Sequence, residues 1–151
     1  MTEMKAHYLV DIYGCTPAAG DADYWPKRTR MLCEAFGLTI VREVVHPFSP
    51  HGMTLLYVLA ESHLALHTWP EERFVALELF TCRQLPDYEL KLRDFLDDIP
   101  LTSAKVTVVL RGDAGSRRSL TSLTITAASL PRVVDAGLDM RDTVEQAEVE
   151  P

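Results

Sequence analysis

Between Ala60 and Glu71 the chain concentrates groups able to carry out reactions: Glu61, Ser62 and His63, then His67, Trp69 and Glu71, at the junction of two apolar stretches. A serine hydroxyl becomes a nucleophile when a base takes its proton, and imidazole exchanges protons near neutral pH. Such groups are costly to bury between apolar strands unless each finds a partner or a task. In an extended strand His63, Ala65 and His67 share one face, while Leu64 and Leu66 fill the other. Taken singly, each residue has an ordinary structural explanation. A turn serine bonded to its own backbone, a satisfied half-buried histidine and a small apolar cysteine such as Cys82 are all common. A metal centre of His63, His67 and Cys82 is disfavoured, because no acidic ligand lies at a supporting spacing.

The elements that must position these groups follow from periodicity. His7 to Tyr13 alternates and is rich in strand formers, and Gly14 to Gly20 punctuates it. Asp21 or Asp23 is placed to cap a helix running to about Phe36, with Pro26 in the first turn and Gly37 as its stop. Met31, Leu32, Ala35 and Phe36 form its expected apolar face. Thr39–Val45, Thr54–Ala60, His63–His67 and Phe74–Thr81 then read as strands of an antiparallel meander. Pro86 to Asp97, with Leu90, Leu92, Phe95 and Leu96, reads as a second amphipathic helix, and Ala104–Leu110 as a valine-rich strand.

The order β-α-β-β-β-β-α-β predicts an α+β, two-layer sandwich: a mostly antiparallel sheet with two helices on one face. The opposite face is left for solvent or a partner, so a homodimer through that face is expected. Residues 1–111 form the expected domain, and 112–151 an appendage. Gly112–Ser119 reads as a linker and Thr121–Thr126 as one more strand, while the acidic end from Val144 to Pro151 is expected to be disordered.

Bulk properties narrow the partners. Over 151 residues, 15 Lys and Arg oppose 22 Asp and Glu for a net charge of −7, which argues against nucleic acid and anionic membranes. No apolar run approaches the roughly 20 residues of a membrane span, and Met1–Ala6 has no apolar signal core, so the cytoplasm is the expected location. Cys15, Cys33 and Cys82 are odd in number and far apart, and read as free thiols in a reducing compartment.

The ordered string Ala60-Glu61-Ser62-His63-Leu64-Ala65-Leu66-His67-Thr68-Trp69-Pro70-Glu71, followed by Leu79-Phe80-Thr81-Cys82, resembles the signature of prokaryotic S-adenosylmethionine decarboxylase proenzymes. Val45 to Thr54 and Asp11 to Cys15 extend the likeness over roughly residues 7 to 110. The resemblance implies that the Ser62 hydroxyl attacks the Glu61 carbonyl, which requires a strained turn and a stabilised oxyanion. β-Elimination then cuts the chain between Glu61 and Ser62 and leaves a pyruvoyl cofactor derived from Ser62. That ketone takes the substrate amine as a Schiff base and serves as electron sink during decarboxylation.

By the same resemblance His67 and Thr54 serve processing, Thr54 standing where the family usually has serine. Cys82, a thiol mostly protonated at neutral pH yet able to give up its proton, protonates the product carbanion. Phe48, Trp69 and Glu71 contact substrate, the aromatics suiting an adenine or a sulfonium. The implied function is decarboxylation of S-adenosylmethionine for spermidine synthesis. Leu55 and Arg83 stand where glycines are usual, and Glu72-Arg73-Phe74-Val75 departs from the family run. An arginine beside the proton donor and an acidic pair at Glu71 and Glu72 would bear on substrate choice. Two alternatives therefore stand beside the first: a pyruvoyl-dependent decarboxylase of another amino acid such as arginine or ornithine, and a non-cleaving paralogue acting as a binding or regulatory subunit.

Overall fold

Alternate residues of β1 (Lys5–Tyr13) are buried, with Tyr8, Val10 and Ile12 all on one side. That period of two recurs across the sheet and decides which face takes the helices. The computed structural model describes residues 4–16, 22–112, 120–130 and 146–147. Within them the chain runs β1, α1 (Tyr24–Ala35), β2 (Ile40–Pro47), β3 (Met53–Leu59), β4 (Ser62–Trp69), β5 (Phe74–Thr81), α2 (Tyr88–Asp97), β6 (Ser103–Arg111), β7 (Leu120–Thr126) and the two-residue β8 (Gln146–Ala147). They form an eight-stranded sheet ordered β2-β3-β4-β5-β1-β6-β7-β8, and every pairing is antiparallel.

The expected two-layer α+β sandwich is present. One sheet face carries Val10, Ile12, Leu55, Tyr57, Leu64, Leu66, Val75, Leu79 and Val106, all essentially inaccessible, against Trp25, Leu32, Leu92 and Leu96 from the two helices. Tyr57 ties sheet to helix by donating to the Pro26 carbonyl at 3.0 Å, while the Thr29 hydroxyl bonds the Trp25 carbonyl at 2.8 Å. Arg28 joins the helices, its guanidinium donating to the Phe95 carbonyl and lying 3.5 Å from an Asp98 oxygen.

Two helical faces differ from their expected composition. In α1 the buried stripe is Trp25, Thr29, Leu32, Cys33 and Phe36, whereas Met31 and Ala35 point outward. Thr29 and Cys33 are small enough to sit close against the sheet, and they take the positions assigned to the larger Met31. In α2, Leu92, Phe95 and Leu96 are buried but Leu90 is exposed. Isolated exposed apolar residues are normal on protein surfaces.

The segment expected as an appendage contributes β7, whose Leu123 and Ile125 are buried in the same core. The linker 113–119 and most of the acidic end, as well as Asp21, lie outside the described residues. Among the described residues no helix is long and apolar enough to cross a membrane. The other sheet face is uncovered, with Val44, Leu56 and Val58 each 42–50% exposed.

Leu64 sits at the centre of the covered face with no accessible surface. Leu64→Ala should cost about 2–5 kcal/mol of unfolding free energy. Urea denaturation followed by far-UV circular dichroism checks this, with Leu90→Ala as the near-neutral control.

Candidate active site

The strands β3 and β4 turn through only Ala60 and Glu61, since Leu59 already pairs with Ser62. Two-residue hairpins usually rely on glycine or asparagine to supply positive φ. Here neither is present, and Ser62 itself takes a φ of 145°. For a residue with a β-carbon such a conformation costs about 1–3 kcal/mol and persists only where its surroundings impose it. The surroundings do so through three hydrogen bonds. Ala60 N–H donates to the Thr39 carbonyl at 2.9 Å, Thr39 N–H donates to the Glu61 carboxylate at 3.0 Å, and Cys82 N–H donates to the Glu61 carbonyl at 3.2 Å. The last bond places a backbone donor on the carbonyl oxygen of the Glu61–Ser62 peptide, where negative charge would develop on attack.

Register then assembles the neighbours. Ser62 pairs with Thr81, so Cys82 lies just past the strained serine, with its side chain exposed. Next along β4, His63 points to the uncovered face, with Nδ1 3.3 Å from the Ser62 hydroxyl.

A second cluster gathers at the far end of the same strands. Thr54 Oγ1 lies 2.9 Å from His67 Nδ1, across the β3–β4 pair. Phe48, Trp69 and Glu71 line a cavity of about 330 Å3 with these two residues, His51 and Gly52. That volume is within the range of small-molecule sites. The loop approaches closely at Gly52, where φ is 95° and a β-carbon would come within 2.9 Å of the Thr68 carbonyl oxygen. Glu71 faces His51 Nε2 at 3.0 Å. Trp69 stacks on Phe74 at 5.4 Å between ring centres, and Phe74 meets Tyr13 at the same distance.

The structure thus brings Glu61, Ser62 and Cys82 together, and separately Thr54, His67, Phe48, Trp69 and Glu71. It does not bring the two groups together within one chain. Ser62 and His67 are five residues apart on a single strand, a separation of about 16 Å at ordinary strand rise. Sequence reasoning missed His51, which the loop path brings to the cavity wall, and Phe74 and Tyr13, which strand register stacks behind Trp69.

The departures from the family pattern also resolve. Leu55 faces the helices and is wholly buried, so its bulk enters the core and not the cavity. Arg83 donates to the Gly37 carbonyl, turned toward the loop between α1 and β2. Arg73 adopts the left-handed conformation and its guanidinium reaches the Gly14 carbonyl at 3.4 Å. Among the described residues, no group of three or more His, Cys, Asp or Glu is arranged to hold a metal ion.

The two-layer α+β sandwich carries imidazoles on the free face of its sheet and a strained serine beside an exposed thiol at one corner, and the family that matches makes it a carboxy-lyase. The family described as S-adenosylmethionine decarboxylase matches residues 6–112, and the chain belongs to that family. An S-adenosylmethionine decarboxylase proenzyme of Clostridium botulinum strain Loch Maree is 28% identical over 107 residues, covering 70% of this chain and 92% of the relative. Proenzymes of the same description from Methanococcus maripaludis strain C5 and Methanococcus vannielii are 39% and 36% identical, over 54% and 64% of this chain and 68% and 82% of theirs. The crystal structure of the adenosylmethionine decarboxylase from Aquifex aeolicus superposes with a TM-score of 0.62 at 24% identity, over 78% of this chain and all of that one, and so shares the fold.

Burial sorts the three thiols. It pushes Cys33 up to about 12 and raises Cys15 as well, whereas Cys82 is exposed. Brief treatment of the native protein with iodoacetamide at pH 8 should therefore label Cys82 and spare Cys15 and Cys33. Peptide mapping checks the order, and all three should react once the chain is unfolded.

Proposed function

We propose that this chain cuts itself between Glu61 and Ser62 and then decarboxylates S-adenosylmethionine, as its relatives' names describe. The observation that carries the reading is the Ser62 backbone, held at a φ of 145° directly after a carbonyl that accepts the Cys82 N–H. The strain raises the ground state of one peptide bond, and the donor stabilises the oxyanion formed when Ser62 Oγ attacks it. The residues present suit a pyruvoyl group formed from Ser62: the serine follows a fixed carbonyl and has an exposed thiol beside it. Once formed, that group supplies a carbonyl that draws off the electrons released as carbon dioxide leaves.

The chain's own residues do the rest. His67, fixed by Thr54, moves the proton that β-elimination of the Ser62 ester requires. Cys82 delivers a proton to the substrate α-carbon after carbon dioxide departs. Phe48 and Trp69 offer flat apolar surface to the adenine and the sulfonium, and Glu71 accepts hydrogen bonds from the ribose. The product is the aminopropyl donor for spermidine synthesis, and three unpaired cysteines suit an enzyme of the cytoplasm.

Two chains are needed for this chemistry. His67 lies about 16 Å from its own Ser62, yet facing sheets pack about 10 Å apart. A two-fold axis through the uncovered faces near Ala65, midway along β4, carries the His67 end of one copy over the Ser62 end of the other. The exposed Val44, Leu56 and Val58 are then buried in the same contact.

The function is tested by carbon dioxide release from carboxyl-labelled S-adenosylmethionine, arginine and ornithine. Turnover should be fastest with S-adenosylmethionine and absent in Ser62→Ala; faster release from arginine or ornithine would overturn the substrate assignment. The shared site is tested by co-producing differently tagged His67→Ala and Ser62→Ala chains. The His67→Ala chain should stay whole alone and be cut in the mixed dimer, where its partner supplies His67. Failure to be cut there would contradict the two-chain site.

A further inference from the structure

One charged cluster on the uncovered face has no part in the chemistry above. Glu78 of β5 lies between two histidines: its Oε2 is 3.4 Å from His7 Nε2 on β1 and its Oε1 is 3.9 Å from His63 Nε2 on β4. Register puts them there, since His7 and His63 both pair with Phe80, and Glu78 occupies the next position along the same face of β5. His7 Nε2 is buried and within ion-pair range, though not aligned for a hydrogen bond. Phe80 touches both imidazoles, whose own ring centres lie 6.4 Å apart edge to face, and carries the Arg111 guanidinium 5.1 Å from its ring centre. The other nitrogen of His63 faces the Ser62 hydroxyl at 3.3 Å.

We infer that Ser62, His63 and Glu78 form a proton relay in which His63 is the base that launches self-cleavage and Glu78 positions it. The inference rests on the Ser62 processing proposed above and names the group that starts it. With Nε2–H turned toward Glu78, Nδ1 is left as the acceptor for the Ser62 hydroxyl. This is the logic of a nucleophile, a base and an orienting carboxylate, with the ring nitrogens exchanged. The Oγ proton passes to His63 Nδ1 as Oγ bonds to the Glu61 carbonyl carbon. The bond from that carbon to the Ser62 nitrogen breaks, and the proton returns to the departing amine. The Glu61 acyl group has moved from nitrogen to oxygen, with no atom gained or lost. Work is thereby divided between two histidines: His63 makes the ester, and His67 from the facing copy takes it apart.

The separation of Nε2 from Glu78 is long for a hydrogen bond, as is common before a catalytic arrangement tightens. Packing a second sheet over this face would remove water and strengthen the pairing. His63 itself is nearly half exposed in the single chain, with its side chain at 46%, so its replacement spares the core.

The test follows freshly translated full-length chains by denaturing gel across a pH series. His63→Gln should slow cleavage at least about 100-fold, the usual worth of a general base. It should also stay whole in hydroxylamine, which splits esters, because no ester forms. Glu78→Gln should slow cleavage about tenfold and move the acid limb of the rate profile to lower pH. Loss of the carboxylate removes the anion that favours an imidazolium beside it; His7 on β1 and Arg111 on β6, whose guanidinium lies over Phe80, are other ionisable groups on this face. On β3 the neighbour of His63 is the apolar Val58. Wild-type cleavage with an unslowed His63→Gln chain, fragments released from that variant by hydroxylamine, or an unmoved limb in Glu78→Gln would each overturn the relay while leaving Ser62 processing in place. A wild-type chain that never splits would overturn both.

Discussion

The peptide bond between Glu61 and Ser62 occupies a turn with no residue suited to making it, and much of the surrounding structure serves to keep it there. Thr39 grips both Ala60 and Glu61, and Cys82 holds the Glu61 carbonyl, so the hairpin cannot relax by moving the unfavourable φ elsewhere. Three elements converge on that turn: the segment entering β2, the β3–β4 hairpin and the end of β5. Only an antiparallel sheet in this register places all three at one corner. The order of a few kcal/mol stored in one dihedral is small beside the core that maintains it, and a core of this extent can sustain it.

The sheet's two faces divide the labour. Leucines, valines and Tyr57 on one side lock the strands to the helices, which fixes the register and hence every distance on the other side. The free side carries the polar groups in rows at strand spacing, with the Ser62 end and the His67 end of β4 facing the same direction but too far apart to meet. The proposed two-fold contact would cover the apolar centre of this face and supply what each end lacks.

Much of this was legible before any coordinates. Strand alternation around Leu64 and Leu66 assigned the two faces correctly, and the string from Ala60 to Glu71 pointed to the turn and to His67, Trp69 and Glu71. The rest required long-range pairing. His63 and Glu78 are 15 residues apart, and His7 is farther still, so their proximity exists only through the β4–β5–β1 register. The strain at Ser62 was not visible as a turn signal because Ala60-Glu61 lacks the glycine or asparagine that marks such hairpins. Leu55 and Arg83 looked like changes to the site because their side-chain directions are not encoded locally; one fills the core and the other braces a loop. Met31 is misplaced because the stripe of α1 takes the small Thr29 and Cys33 against the sheet, while Leu90 is a solitary apolar residue on the outer side of α2.

Self-cleavage is a covalent change, and mass spectrometry of the purified, active protein reads it directly. Two polypeptides should be found, one ending at Glu61 and one beginning at position 62 with a pyruvoyl group and no free amine. A single uncut chain in a preparation that releases carbon dioxide from S-adenosylmethionine would contradict the account.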